Sequence, residues 1–267
     1  MNTFSAHARL AQIHEASRPG AFIGMDPSWW GFGGLHGGLA LSLLTAAMRD
    51  RSQGRVLQQV SGRFRRALRA PFCLEVHEPS AGKTVSWLDA DAVEEGRVAI
   101  SASAVFAVPG QEGAQAIAPP MPAAPPSLQC PIFTVPPEFV PFARHTEIRP
   151  VGSARPFGGA AEPELIAWLR LVDDDLPPDE ARLIVLMDAL APSYAAILRT
   201  PVPIPTVTFT VTPSSDLAQA TSPWVLLRAR TDTSRRDGWL LERLDAWTPD
   251  GAHIGSAEQL RAVMDRA

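Results

Sequence analysis

The hydrophobic pattern changes period along the chain, and it does so twice in the same order. From Leu35 to Met48 the residues Leu35, Leu39, Ala40, Leu41, Leu43, Leu44, Ala46 and Ala47 are apolar nearly all round. That predicts a helix buried on most sides. A second apolar run, Asp179 to about Ala191, predicts a second helix. After each come segments that alternate with period two, best seen in Trp224-Val-Leu-Leu-Arg-Ala-Arg and Trp239-Leu-Leu-Glu-Arg-Leu-Asp-Ala-Trp247, the pattern of half-buried strands. Glu94-Glu95-Gly96 and Pro249-Asp250-Gly251 join such runs as antiparallel hairpins. Further strand material precedes each helix: 21–30 in the first case, 145–151 and 165–172 in the second.

Ten prolines between Val108 and Pro141 interrupt the pattern. Proline fixes φ and removes a backbone donor, so this stretch is read as an extended linker. The implied division is a first domain over 1–108, a linker over 109–141 and a second domain over 142–267. The halves also overlay. Gly96 falls on Gly251, Ser101 on Ser256 and Val108 on Val263 without a gap, and Ser61-Gly-Arg-Phe64 resembles Thr206-Val-Thr-Phe209 in alternation. Two copies of helix, strand, strand, strand, strand predict an α+β fold of double-hotdog type: two antiparallel sheets, each wrapped around a central apolar helix.

Composition narrows the setting. Of 267 residues, 46% are hydrophobic and 19% charged, enough for two cores. A net charge of -4 argues against a nucleic-acid partner. Two cysteines, Cys73 and Cys130, make no disulfide framework. No stretch approaches the roughly 18 apolar residues of a membrane span, and the start shows no signal-peptide pattern, so a cytoplasmic protein is expected. Trp29, Trp30, Trp224 and Trp239 exceed what one small core requires, which points to a homodimer.

The chemistry-bearing candidates are few. Gly33-Gly34-Leu35-His36-Gly37-Gly38 enters the first helix. It either brings open N–H groups and a helix dipole to a carbonyl or anion, or permits close packing. His36 alone fits a structural role better than a catalytic one. Asp188 lies in the apolar run Leu183–Leu190, where a carboxylate needs donors or a pocket. Gln259 stands where the first half has Ala104, and Thr206 overlays Ser61. Several other signals fail. Ala81-Gly82-Lys83-Thr84 lacks the leading glycine of a phosphate loop, which would be His77. The six histidines have no zinc-ligand spacing. Arg63, Arg65, Arg66 and Arg69 form a basic strand edge, ordinarily just a solvated face, though a nucleotide 3′-phosphate could meet it.

Taken in order, the glycine-rich helix entry, Gly82-Lys83-Thr84, Leu186-Met187-Asp188, Pro205-Thr206-Val207-Thr208 and Ser256-Ala257-Glu258-Gln259 resemble the double-hotdog acyl-CoA thioesterases of the thioesterase II type. The likeness covers nearly the whole chain. It implies hydrolysis of acyl-CoA by a water that Asp188, Thr206 and Gln259 position and activate, with Gly33, Gly34, His36, Gly37 and Gly38 on the substrate side and no metal or cofactor. The chain departs from the family at Thr208, often aspartate, and at Thr212-Pro213-Ser214, often His-Arg-Pro. Two rivals stand beside this reading: a non-catalytic acyl-binding protein and an enoyl-CoA hydratase or dehydratase. Asp188 has no histidine within five residues, which counts against the latter.

Overall fold

The computed structural model describes residues 2–110 and 115–264. The first half holds β1 (Asn2–Phe4), α1 (Leu10–Ala16), β2 (Phe22–Met25), α2 (Gly37–Arg49), β3 (Val56–Phe64), β4 (Phe72–Ala81), β5 (Val85–Glu94) and β6 (Arg97–Ala107). The second holds β7 (Thr146–Pro150), β8 (Glu164–Leu171), α3 (Glu180–Met187), β9 (Thr206–Pro213), β10 (Val225–Ser234), β11 (Trp239–Trp247) and β12 (His253–Ala262). All strands join one sheet in the order β1-β2-β4-β5-β6-β3-β9-β12-β11-β10-β8-β7. It is a double hotdog: each half wraps its own helix, and the two halves meet edge to edge at β3 and β9.

The register reveals a local twofold relation. Ser61 of β3 pairs with Thr210 of β9, and Val60 and Gly62 pair with Val211 and Phe209 on either side. Thr210 Oγ1 donates to Ser61 Oγ at 2.9 Å across the pair. Each of these strands runs beside the last strand of its own half, β6 or β12, and each carries a bulge at the same place. The register shifts between Leu57 and Gln59 on β3 and between Arg261 and Leu260, opposite Thr206 and Thr208, on β9. The β6–β12 overlay holds, and a repeated side-chain bond accompanies it: Ser101 donates to Asp91 at 2.6 Å and Ser256 to Asp245 at 2.7 Å. The β3–β9 overlay needs correction. Ser61 is the counterpart of Thr210, four positions on (210 − 206), and Thr206 corresponds to Leu57. Short strands of similar alternation fix phase but not register.

The helices differ from expectation at their ends. α2 starts at Gly37, with His36 as its N-cap, and α3 stops at Met187, with Asp188 as its C-cap, instead of continuing to Ala191. Pro192 disfavours helical geometry at the residue before it, and a short 3-10 turn, Ser193–Ala196, follows. The sheet is also not wholly antiparallel: β1 lies parallel to β2 at the outer edge.

The helices α2 and α3 pack on each other in opposite directions. Arg49 in the last turn of α2 meets Glu180 in the first turn of α3, so each charge sits at the end of its own helix that the dipole favours. Leu39, Leu41, Leu43, Leu44 and Met48 of α2 and Leu183 to Met187 of α3 are buried in one core. No helix among the described residues is long and apolar enough to cross a membrane.

The proline-rich segment lies against the outer face of the second half. Met121, Ala124 and Cys130 pack on Trp168, Leu226 and Trp224. The indole N–H of Trp168 donates to Pro125 O at 2.8 Å, and that of Trp247 to Pro119 O at 3.1 Å. A proline strap suits this place because it supplies carbonyl acceptors while adding no N–H that needs a partner. Phe133 N also donates to Ile148 O on the edge strand β7.

One partly buried histidine should make the fold acid-sensitive. His14 on α1 bonds Ser42 Oγ of α2 at 3.0 Å, and the Ser42 hydroxyl donates to Leu39 O. Burial lowers the His14 pKa from 6.5 to about 4, against a smaller opposing pull from Asp179. Between those values the unfolded chain binds a proton that the folded chain does not. The contribution is therefore complete above pH 6.5 and is lost as pH falls toward 4. Acidification from pH 7 to 5 should cost about 1–2 kcal/mol from this group. Thermal melts should show the loss, and His14→Gln should flatten it. An equal acid slope in that variant would assign the sensitivity elsewhere.

Candidate active site

The site is built where the end of one helix meets the start of the other. The first three N–H groups of a helix have no intrahelical acceptor. In α2 these belong to Gly37, Gly38 and Leu39. Leu39 N donates to His36 Nδ1 at 3.2 Å, and Gly38 N donates to Asp188 Oδ2 at 2.7 Å. The Asp188 carboxylate, its side chain 12% exposed, thus caps α2 from the C-terminus of α3. The dipole of α2 favours a negative charge there.

This approach requires the two glycines. A Cβ on Gly38 would lie 2.8 Å from Asp188 Cβ and 2.9 Å from Ile184 O, and one on Gly37 would lie 2.9 Å from Asp188 Oδ2. Close packing of helix on helix is what Gly37 and Gly38 permit. Gly33 and Gly34 are brought elsewhere. Arg69 Nε donates to Gly33 O at 2.6 Å, and a Cβ on Gly34 would meet Leu68 O at 2.7 Å. A cavity of about 160 Å³ on that side is lined by Trp30, Leu35, Leu68 and Arg69 among others.

His36 is wedged between the two helices. Its Nε2 lies 3.0 Å from the backbone O of Asp188 and 3.7 Å from Oδ2, and its ring stacks on Phe142 with centroids 3.7 Å apart. Burial pushes its pKa below the ordinary value, opposed by the nearby Asp188 charge. Nδ1 accepts from Leu39, so the neutral ring carries its proton on Nε2 and donates it to the Asp188 carbonyl. His36 orders the carbonyl of Asp188, the C-cap of α3, and has no free nitrogen.

The sheet supplies the other side. Gln259, fully buried on β12, donates from Nε2 to Asp188 Oδ1 at 3.2 Å. Thr206 Oγ1 donates to Gln259 Oε1 at 2.7 Å. Strict alternation from Phe209 and Val211, both inward, would turn Thr206 outward. The bulge at Val207 swings it in, opposite Arg261. Asp188, Thr206 and Gln259 therefore form one connected cluster.

Two members of that cluster were not anticipated. Arg261 NH1 donates to Thr206 Oγ1 at 2.8 Å, and its Nε donates to Glu242, which also accepts the Ser193 N–H. Arg261 is 5% exposed and Glu242 1%. Both were detectable. The overlay places Arg261 on Phe106, and Glu242 interrupts the inward apolar series Leu240, Leu244, Ala246. The register makes the contrast general: Thr206, Glu242, Gln259 and Arg261 of the second half correspond to Leu57, Leu88, Ala104 and Phe106 of the first. One lobe is polar at all four positions and the other apolar at all four. Among the described residues no group of three or more His, Cys, Asp or Glu is placed to hold a metal ion.

Comparison with known proteins follows the same division. The acyl-CoA thioesterase N-terminal domain matches residues 26–107, and the acyl-CoA thioesterase C-terminal domain matches residues 116–263. A search of curated protein sequences finds no match. Among solved structures, a protein of unknown function with a hot dog fold from Alicyclobacillus acidocaldarius is 25% identical with a TM-score of 0.81, covering 91% of this chain and 92% of its own. A thioesterase II candidate from Thermobifida fusca YX is 21% identical with a TM-score of 0.82, covering 98% and 99%. The acyl-CoA thioesterase II TesB2 of Mycobacterium marinum is 18% identical with a TM-score of 0.67, covering 88% and 93%. With both domain families matched in order over most of its length, the chain belongs to the acyl-CoA thioesterase family.

Proposed function

We propose that the chain hydrolyses acyl-CoA thioesters with a single site, at Asp188 in the second lobe. The observation that carries this is the carboxylate itself: it sits at a helix N-terminus, takes a donor on each oxygen, and retains lone pairs for a water. Asp188 takes a proton from that water, and the water oxygen attacks the thioester carbonyl carbon. The C–S bond then breaks, and the CoA sulfur leaves and takes up the proton held by Asp188, giving a free acid and CoA. The N–H of Gly37, left over once Gly38 and Leu39 are used, is the donor suited to the carbonyl oxygen. Thr206 and Gln259 hold the carboxylate in place, and the protein supplies no metal or cofactor to the step.

Thiol release measured across acyl-CoA chain lengths tests this. Turnover on at least one chain length is expected. A tightly held acyl ligand with no turnover on any would instead support a non-catalytic binder. The approach of His36 to Asp188 favours a second reading, addition or removal of water at an enoyl-CoA double bond. Both His36 nitrogens are engaged, which ranks it second, and consumption of a 2-enoyl-CoA without thiol release would reverse the order.

The setting belongs to the same proposal: a cytoplasmic homodimer acting in lipid metabolism. Trp29 and Trp224 find partners within the chain, Trp29 on His145 and Trp224 beneath Arg149 and Arg170. The dimer reading therefore leans on Trp30, Trp239 and the 47%-exposed Trp87. Light scattering at micromolar concentration should give twice the chain mass, and a strict monomer would end that reading.

A further inference from the structure

We propose that Arg261 is a positioning residue that holds the Thr206 hydroxyl as a donor in the hydrogen-bond chain ending on Asp188; the proposal rests on the reading of Asp188 as the base. The chain runs Arg261 to Thr206, Thr206 to Gln259, and Gln259 to Asp188. Its ends are fixed by chemistry. A guanidinium only donates and an ionised carboxylate only accepts. The hydroxyl and the amide between them can do either. With Arg261 donating, the Thr206 proton is free to point at Gln259 Oε1, and the amide NH2 is left facing Asp188. Without Arg261, the Thr206 proton has a second direction open to it and need not point at Gln259 Oε1, so the amide loses the bond that steadies its NH2 on the carboxylate.

The charge of Arg261 is matched by Glu242, itself held by the Ser193 N–H. Arg261 thus acts by orientation more than by net field. The pair's first-lobe counterparts are Leu88 and Phe106, in strands of the same register, and a buried ion pair is often no better for stability than apolar residues of similar size. Yet the polar set stands complete in the lobe that carries Asp188.

The test exchanges the pair for its own first-lobe residues, Glu242→Leu with Arg261→Phe, which leaves no unpaired charge. We expect kcat on acyl-CoA to fall about tenfold, the scale of one well-aligned hydrogen bond, with KM within about twofold. In a Thr206→Val background, where the route is already cut, the same exchange should cost nothing further. An equal loss in both backgrounds, or no loss in either, overturns the proposal. If the exchanged protein does not fold, Arg261→Lys and Arg261→Gln replace it. Lysine, which only donates, should recover most of kcat, and glutamine, which can accept, should not; equal activity overturns the proposal. If the natural chain hydrolyses no acyl-CoA, the base reading fails separately and NMR decides this one. The Gln259 side-chain amide signals, identified by their loss in Gln259→Ala, should shift or broaden in the exchanged or glutamine variant. Unchanged signals overturn it.

Discussion

Asp188→Asn is expected to lower acyl-CoA turnover by about 10²-fold or more, the usual scale for loss of a general base. The substitution keeps the side-chain shape and removes the group proposed to take the proton. From sequence alone it reads as harmless to the fold, or even stabilising, because it deletes a buried charge. The contacts argue otherwise. Both carboxylate oxygens accept, one from Gly38 N–H and one from Gln259 Nε2. Asparagine has one acceptor and one donor. With its oxygen on Gly38, its NH2 faces the Gln259 NH2, and the amide of Gln259 must turn over. Thr206 would then receive hydrogen bonds from both Arg261 and Gln259, and its own proton would lose Gln259 Oε1. Stability should fall by about 1–2 kcal/mol, the cost of one disturbed buried bond. Turnover assays and denaturant melts on the same preparation separate the two effects. Near-normal turnover in a folded Asp188→Asn variant would remove Asp188 from the chemistry and leave it as the cap of α2.

Several of these relations could be read from the residues, and the reasons differ. The first helix is apolar on all sides and the hairpins at Gly96 and Gly251 are marked by turn residues, so lobes and strands were accessible to periodicity. Both glycines take the left-handed conformation those turns need, at φ +71° and +95°. Asp188 and Gln259 stood out because each is polar in an apolar series. Thr206 is different. Its role came only through resemblance, since a threonine in a strand is unremarkable and the bulge that turns it inward leaves no signature in the alternation. The Arg261–Glu242 pair was visible in principle, but only to an overlay extended beyond the position of Gln259. The proline segment shows another limit: prolines signal an extended path and are silent about what the path packs against. His36 and Asp188, far apart in sequence, are joined by the antiparallel packing of α2 and α3, a tertiary fact with no local trace.

Gly38→Ala should reverse the ordinary sign of a helix substitution. At an unencumbered helix position, alanine in place of glycine stabilises by up to about 1 kcal/mol through propensity alone. Here the added methyl would fall 2.8 Å from Asp188 Cβ, 2.9 Å from Ile184 O and 3.1 Å from His36 Cε1. One of these is backbone of α3, which cannot swing aside as a side chain does. The helices must part at this end, and overpacking of this kind costs about 1–3 kcal/mol. Parting them also draws the carboxylate from the Gly38 N–H, so turnover should fall with stability. Gly37→Ala offers the contrast. Its methyl meets the tip of Asp188, Oδ2 at 2.9 Å, and the Phe64 ring at 3.3 Å, both of them side-chain atoms. That variant should hold more of its stability while still displacing the carboxylate and lowering turnover. Urea midpoints and initial rates for both variants decide the matter. A Gly38→Ala protein as stable as the natural chain, or more so, would mean that α2 and α3 do not approach as closely as the site requires.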